Sequence, residues 1–562
     1  MSERHPSQRQ MQFPAPQRTG IFLLLVLLAA ELAGILIISH NHFFYTLDDP
    51  YIHLSLAEHI ARGHYGINAG EYSAPSSSII WPFLLAPFVS TAVFTMIPLL
   101  FNIAAAFGSV LLFGVLSGYL VPPDIRNRTA VQSVLVLLLC ICTNLVGLVF
   151  TGMEHSLQLL CTLLIVNGLF AEIRTGRVHW SVWMAIAAAP LVRYECVAIS
   201  LAAAVFLFLR GHRVAASLFL STAVAALLLF SRFLMSMGLS PFPSSVMAKS
   251  AVVAGGHGTA LVGGIFSTLA SAFTSSRGLL LAMTAGALGF ACFLKNTARA
   301  DRLLAACMAG AVVLHLLVGR YGSYNRYEVY IWSAGLLTIL HVLRGPVAAI
   351  VFTTSSRYYF IRPVVSAAGL LLACYPYVIG LTTIPSASDN IYKQQFQMRR
   401  FAVRYYKQPV GVNDIGLVSY RNPAYVLDYA GLASETSLAH AQSGGGEWMD
   451  SLARRHNVHF AMIYREWFKP VPAGWISVGE LVLDGPLITP AGRSVTFFAT
   501  DSLTYRNVMP LIDDFASSLP SAVRFVRSGG REDMRFGNLR FFNESYMAVA
   551  RDDGVSVFHP VE

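Results

Sequence analysis

Repeated apolar runs, each near the length needed to cross a bilayer, restrict this chain more than any other feature. A hydrocarbon layer of ~30 Å takes about 20 helical residues, and a backbone crossing it must satisfy its own hydrogen bonds. Such runs fall near residues 20–40, 92–120, 129–150, 153–171, 180–192, 195–210, 213–235, 278–296, 302–319, 327–343 and 361–381. They predict a polytopic α-helical membrane protein of about eleven spans over residues 1–381. Segments 79–90 and 258–275 are apolar too, but suit the interface as well as a crossing. Composition agrees, since 12% of the residues are charged, roughly half the usual fraction for a soluble protein.

The first run reads as a retained helix rather than a secretory signal, because no small-residue cleavage site follows it and Asp48 and Asp49 come soon after. The net charge of +10 is spread over short loops: Arg4/Arg9/Arg18, Arg126/Arg128, Arg174/Arg177, Arg210/Arg213, Lys295/Arg299/Arg302 and Arg344/Arg357/Arg362. The positive-inside rule makes these loops and the N-terminus cytoplasmic. Loops 41–78, 151–153, 236–257 and 320–326 then face outward, with everything after about residue 382. Charge dispersed in this way excludes a nucleic-acid partner. The seven cysteines sit in or beside apolar runs without metal-ligand spacing and read as small buried side chains.

From residue 382 the chain turns polar and holds eighteen of the thirty acidic residues. Alternating stretches such as "HFAMIY", "WISVGELVL" and "SVTFFAT", with helical segments between them, predict a soluble α/β domain over 382–562, on the outer side. Binding an acceptor glycan or covering a cavity suits it better than a second active site.

The outer loop 41–78 opens with "TLDDPYIHLSLAEHIARGHYGIN". Asp49 before Pro50 suits a helix start, and Gly63 a stop. Ile52, Leu56 and Ile60 fall on one stripe, predicting an amphipathic helix on the outer membrane face with Asp49 as its cap. Tyr65, Tyr72 and Trp81 suit interfacial anchoring or stacking on sugar rings. Ionisable residues at spans default to function, and Asp48, Asp49, Glu154, Glu195 and Glu328 all fall at outward ends. Arg193, Lys249, Arg320 and Arg326 lie on the same side. Carboxylates and cations together suit sugar transfer from a lipid phosphate. A base takes the acceptor proton while cations neutralise the departing phosphate.

In order along the chain, "DDPYIHLSLAEHIARGHYGIN", "YSAPSSSIIWPFLLAP", "TGMEHSLQ", "LVRYE", "PFPSSVMAKS", "YNRYEVY" and "VNDIGLVSY…VLDYAGL" resemble the GT-C class of membrane glycosyltransferases. The likeness runs over residues 40–435 and is nearest in pattern to the mycobacterial arabinofuranosyltransferase branch. His155 and Tyr194 depart from that branch's usual Thr and Pro. The resemblance implies an inverting enzyme of the bacterial inner (plasma) membrane. It would take a polyprenyl-phosphate monosaccharide as donor and a cell-envelope glycan or lipid as acceptor, at the outer, periplasmic face.

On that reading Asp48 is the general base or acceptor-positioning carboxylate, with Asp49 assisting. Arg193, Lys249, Arg326 and Tyr327 bind the donor phosphate, and Glu154 and Glu195 orient the pocket, Glu195 paired with Arg193. No tightly bound cofactor is implied. A divalent cation at Asp48 and Asp49 is compatible with their hard oxygens, though this donor class does not require one. A transporter or flippase of lipid-linked glycans is the alternative; it would favour midplane charges and inverted repeats, whereas here Glu31 is mid-span but the key charges sit at one face, and no repeat is visible. Sugar, acceptor and oligomeric state are not legible.

Overall fold

The computed structural model describes residues 13–249, 266–352 apart from 267, 271 and 296, 361–443, 446–520, 522–528, 547–549 and 557–559. Among the described residues five helices are long and apolar enough to cross a bilayer: α1 (Ala15–Ile38), Phe94–Leu120, His155–Thr175, Arg213–Ser236 and Arg299–Val318. Two further pairs, Val329–Val342 with Arg344–Val351 and Ile361–Ala373 with Tyr375–Thr382, bend by 72° at a short break. Four shorter apolar helices complete the set: Arg128–Cys142, Trp180–Val192, Tyr194–Leu209 and Ser276–Ala291. Every expected span contains one of these elements, and the protein is a multi-pass α-helical membrane protein.

Some spans are shorter than expected because the backbone leaves the helical region at particular residues. Asn144 takes φ 49°, between helices ending at Cys142 and starting at Leu145, a left-handed conformation that asparagine tolerates better than most. Arg193 is extended and separates Val192 from Tyr194. Helices also approach closely through small residues, as membrane helices do. A Cβ on Gly168 would lie 1.9 Å from Val182 Cγ2. Segment 79–90 forms only a short helix, Ile80–Leu85, and a 3₁₀ turn, so it does not cross. Most of 258–275 lies outside the described residues.

The C-terminal part carries a six-stranded mixed sheet, ordered β2-β1-β3-β5-β4-β6. Its strands are β1 (Val410–Val412), β2 (Val426–Asp428), β3 (Phe460–Ile463), β4 (Ile476–Leu483), β5 (Ser494–Ala499) and β6 (Val523–Arg527). β1 runs parallel to both β2 and β3, while β3–β5, β5–β4 and β4–β6 are antiparallel. The three-residue β1 and β2 are wholly buried, as parallel strands covered on both faces require. Phe460, Phe497, Phe515 and Phe401 fill the core.

That core reaches beyond its own domain. Ile52 and Ile67, from the first outer loop, pack in it beside Met398, Val410 and Val426. The helix expected after Asp48 is present as α2 (Asp49–Ile60), and Gly63 follows with φ 79°. It does not lie on the membrane: Pro50 to Glu58 are all buried. Its apolar stripe is divided, Ile52 meeting the sheet domain while Leu56 and Ile60 pack with Tyr65 and Phe230; Leu54 and Tyr51 meet Trp81 and Leu417, so the helix is enclosed by protein. Burial likewise takes Tyr65 and Trp81 out of the anchoring role, at 3% and 1% exposure. Tyr72 stays exposed, stacked on His64.

Candidate functional site

The first outer loop and the sheet domain are joined by polar contacts across some 360 residues of sequence. The Asn68 amide behaves like a strand edge, donating to Val426 O and accepting from Val426 N, each at 2.9 Å. Glu58 binds Arg421 Nε at 3.0 Å, and Tyr425 OH donates to Glu71 at 2.7 Å. At the start of α2, Asp48 accepts from Gly416 N at 2.7 Å and from Leu417 N at 2.8 Å, one bond on each oxygen. These donors open the helical turn Gly416–Ser419, whose first N–H groups have no partner within the turn. Asp414, two residues earlier, is held by Gln395 Nε2 at 2.9 Å and Tyr464 OH at 3.0 Å. Burial pushes the Asp48 carboxyl up to about 8; Asp414 and Asp49 add to the rise and the two backbone N–H groups oppose it. Burial raises Asp414 as well, with Asp49 adding to it.

Asp49 points elsewhere. No side-chain bond caps the helix; instead its Oδ2 lies 2.8 Å from Arg326 Nη2, and the carboxylate keeps 32% exposure. The expected cap is therefore corrected to an ion pair. Arg326 follows an unusual backbone: Gly322, Ser323, Tyr324 and Asn325 have φ of 84°, 45°, 62° and 56°. Arg326 N donates to Gly322 O at 3.2 Å, closing a turn of left-handed hand. For each of the three non-glycine residues that hand costs roughly 1–2 kcal/mol, and strain of this kind collects where function needs it. The Arg326 side chain is 6% exposed. Its Nη2 also reaches Tyr327 OH and Ser323 Oγ, whereas Nε and Nη1 are buried with no hydrogen-bond partner. Unmatched buried guanidinium donors are costly in a native structure; Nε and Nη1 lie on different sides of the group, so each can donate separately to an oxygen of an anion.

Beside it, Arg193 is almost fully occupied. Nη1 donates to Glu154 at 2.7 Å, and Nε and Nη2 donate to Glu195 at 3.1 and 2.8 Å. His53 Nε2 stands 3.7 Å from the other Glu154 oxygen, and its Nδ1 is 3.1 Å from Ser76 Oγ. Tyr327 links the two arginines, with Arg193 Cζ 5.2 Å and Arg326 Cζ 4.9 Å from its ring centre. A tyrosine ring attracts both cations and lets two like charges share one neighbourhood. The His155 ring, at 6.0 Å, completes the surround.

Asp49, Arg326, Tyr327, Arg193, Glu154 and Glu195 thus form one connected network. Asp48 sits at its edge, turned toward the sheet domain. Lys249 ends the short helix Ser244–Lys249, and its side chain lies outside the described residues. Sequence reasoning missed His53, which looked like one more residue of an amphipathic helix, and gave Asp414 no role, since nothing local in "VNDIG" says that it approaches Asp49. Among the described residues no group of three or more His, Cys, Asp or Glu is disposed to hold a metal ion.

The family described as "Domain of unknown function (DUF8728)" matches residues 389–498, which hold most of the sheet domain. No curated protein matches the chain. Among solved structures, the oligosaccharyltransferase of Archaeoglobus fulgidus in its apo form aligns over 90% of this chain and 76% of its own, with 10% identity and a TM-score of 0.44. The same enzyme tethered to an acceptor peptide with the NVT sequon gives 0.42, again at 10% identity and over the same shares. Archaeal AglB from that organism, in complex with an inhibitory peptide and a dolichol-phosphate, gives 0.45 at 10% identity, also over 90% and 76%.

Proposed function

We propose that the chain is an inverting membrane glycosyltransferase of GT-C type. It moves a monosaccharide from a polyprenyl-phosphate donor to a cell-envelope glycan or lipid acceptor, at the outer face of the bacterial inner membrane. The observation that carries this reading is the Arg326 guanidinium: one nitrogen on a part-exposed carboxylate, the other two buried and, among the described residues, unmatched. Displacement at an anomeric carbon bearing a phosphate needs a carboxylate to take the acceptor proton and cationic donors for the leaving phosphate, and Asp49 and Arg326 supply one of each.

In this reading the acceptor hydroxyl oxygen attacks the anomeric carbon from the side away from the phosphate. Asp49 takes the hydroxyl proton, the C–O bond to phosphate breaks, and its electron pair leaves on the polyprenyl phosphate. Nε and Nη1 of Arg326 meet the charge that develops there. Arg193 supplies a second positive field behind Tyr327. Its three carboxylate bonds make direct phosphate contact a smaller part of its work, and Glu154 and Glu195 keep it in place. The base role passes from Asp48 to Asp49, because both Asp48 oxygens are engaged by backbone N–H groups. Asp48 instead holds the sheet domain against the loop, where that domain covers the site and meets the acceptor.

The test is transfer by the purified full chain in lipid nanodiscs, with a panel of radiolabelled polyprenyl-phosphate sugars and an envelope-glycan extract as acceptor. Label fixed to acceptor by the native chain and absent with Asp49→Asn supports the reading. Label fixed equally by both sinks the role of Asp49. Unaltered donor moved across a vesicle bilayer with no label fixed would establish the transporter instead.

A further inference from the structure

We infer that Glu328 is a positioning residue for Arg326: it clasps the left-handed turn that aims the guanidinium and touches no substrate itself. The inference rests on the proposed role of Arg326 as the anion site. Glu328 stands two residues past Arg326, just before the helix Val329–Val342, with a fully buried carboxylate. One oxygen accepts from Gly322 N at 2.7 Å, the first residue of the left-handed run. The other accepts from Tyr377 OH at 3.0 Å, which comes from the bent pair Ile361–Thr382. The carboxylate therefore ties the entry of the turn to its exit and anchors both to a different helix.

A run of left-handed residues does not persist unaided, and its other supports sit in its middle. Asn325 accepts from Arg277 Nε at 2.7 Å, donates to Pro376 O at 2.9 Å, and receives Asn144 Nδ2 on its carbonyl at 2.9 Å. Gly380 makes room for it, since a Cβ there would lie 2.6 Å from Asn325 Nδ2. Those bonds fix Asn325, whereas Glu328 holds the other end of the run, tying Gly322 N to the start of the helix that follows Arg326 and reinforcing the Arg326 N to Gly322 O bond. A bland role is available: a carboxylate at a helix N-terminus is favoured by the helix dipole. That role would not run through Arg326, and the two are separable by coupling.

The experiment is a double-mutant cycle on the full chain in nanodiscs, with undecaprenyl monophosphate as the probe and its Kd as the readout. Arg326→Ala and Glu328→Ala are each expected to weaken binding about tenfold, as loss of one charge-assisted contact does. The double variant should be no weaker than Arg326→Ala alone, because coupled residues are non-additive. Glu328→Gln, which still accepts from Gly322 N and donates to the Tyr377 oxygen, should bind within about twofold of the native chain. If Glu328→Ala does not give a monodisperse species, Tyr377→Phe carries the same cycle. It is expected to weaken binding about threefold alone, and not at all beside Arg326→Ala. Penalties that multiply, or full binding by Glu328→Ala or by Tyr377→Phe in its stead, overturn the inference. Full binding by Arg326→Ala overturns instead the functional reading beneath it.

Discussion

Gly416→Ala is the sharpest probe of the contact between the outer loop and the sheet domain. Gly416 is helical and carries no positive φ, so alanine is compatible with its own backbone. The difficulty is external: a Cβ there would lie 2.1 Å from Asp48 O and 2.6 Å from Asp48 Oδ2. Carbon and carbonyl oxygen approach no closer than about 3.3 Å, so the helical turn must retreat from Asp48 by about 1 Å. The 2.7 and 2.8 Å bonds from Gly416 N and Leu417 N then exceed hydrogen-bond range. Two N–H groups left unmatched cost about 1–3 kcal/mol each. The domain does not detach, because Asn68, Glu58 and Ile52 still hold it. The retreat does pull on Asp49, the next residue, and a 1 Å misplacement at a reacting centre costs on the order of 10²-fold in rate. The expected result is faster hydrogen exchange confined to residues 416–417, with transfer reduced about a hundredfold. Gly474→Ala, where an added Cβ meets nothing within 4 Å, should change neither. Native exchange and native transfer in Gly416→Ala would refute the reasoning.

Three further outcomes follow from the same geometry. Asp49→Asn should lower kcat on the order of 10²–10⁴-fold, as removal of a general base does, while the nanodisc-embedded chain melts as before. Arg326→Lys keeps the charge but loses the fixed guanidinium donors, so kcat/KM for the donor should fall about tenfold or more; unchanged kcat/KM would count against an oxyanion on those donors. Asp48 is protonated up to about 8 in the folded chain and to about 3.9 in an unfolded one. Between those values the unfolded chain has lost a proton that the folded one keeps, so this group's contribution to stability declines as pH rises from about 4 to about 8 and is level beyond. Asp414→Asn removes one cause of the rise and should end the decline at a lower pH; superimposable melting profiles for the two chains would show that Asp414 does not act on Asp48.

Much of the architecture was legible from one dimension, because a bilayer allows only backbones that satisfy themselves and so writes each helix as an apolar run. The bends were not: they depend on single residues such as Asn144 and Arg193, whose conformations are stabilised by neighbours distant in sequence. The sheet domain declared itself through alternation in "PVGVND", which holds β1, and in "HFAMIY" and "SVTFFAT", but β2, three residues long, carries too little pattern to announce the parallel pair it forms with β1.

The site divides in the same way. The places of the charges along the sequence predict acids and bases gathered at the same ends of the spans, since so few charges occur elsewhere in them. Which carboxylate meets which cation is a matter of direction, and direction came from the fold. Asp48 and Asp49 are adjacent in sequence and chemically identical. One faces the Gly416–Ser419 turn and the other faces Arg326, because successive residues entering a helix project about 100° apart and two different bodies pack against α2. The left-handed turn before Arg326 is likewise invisible in "GSYNR", because its strain is borne by Glu328, Asn144, Arg277 and Pro376, which only the packed bundle gathers.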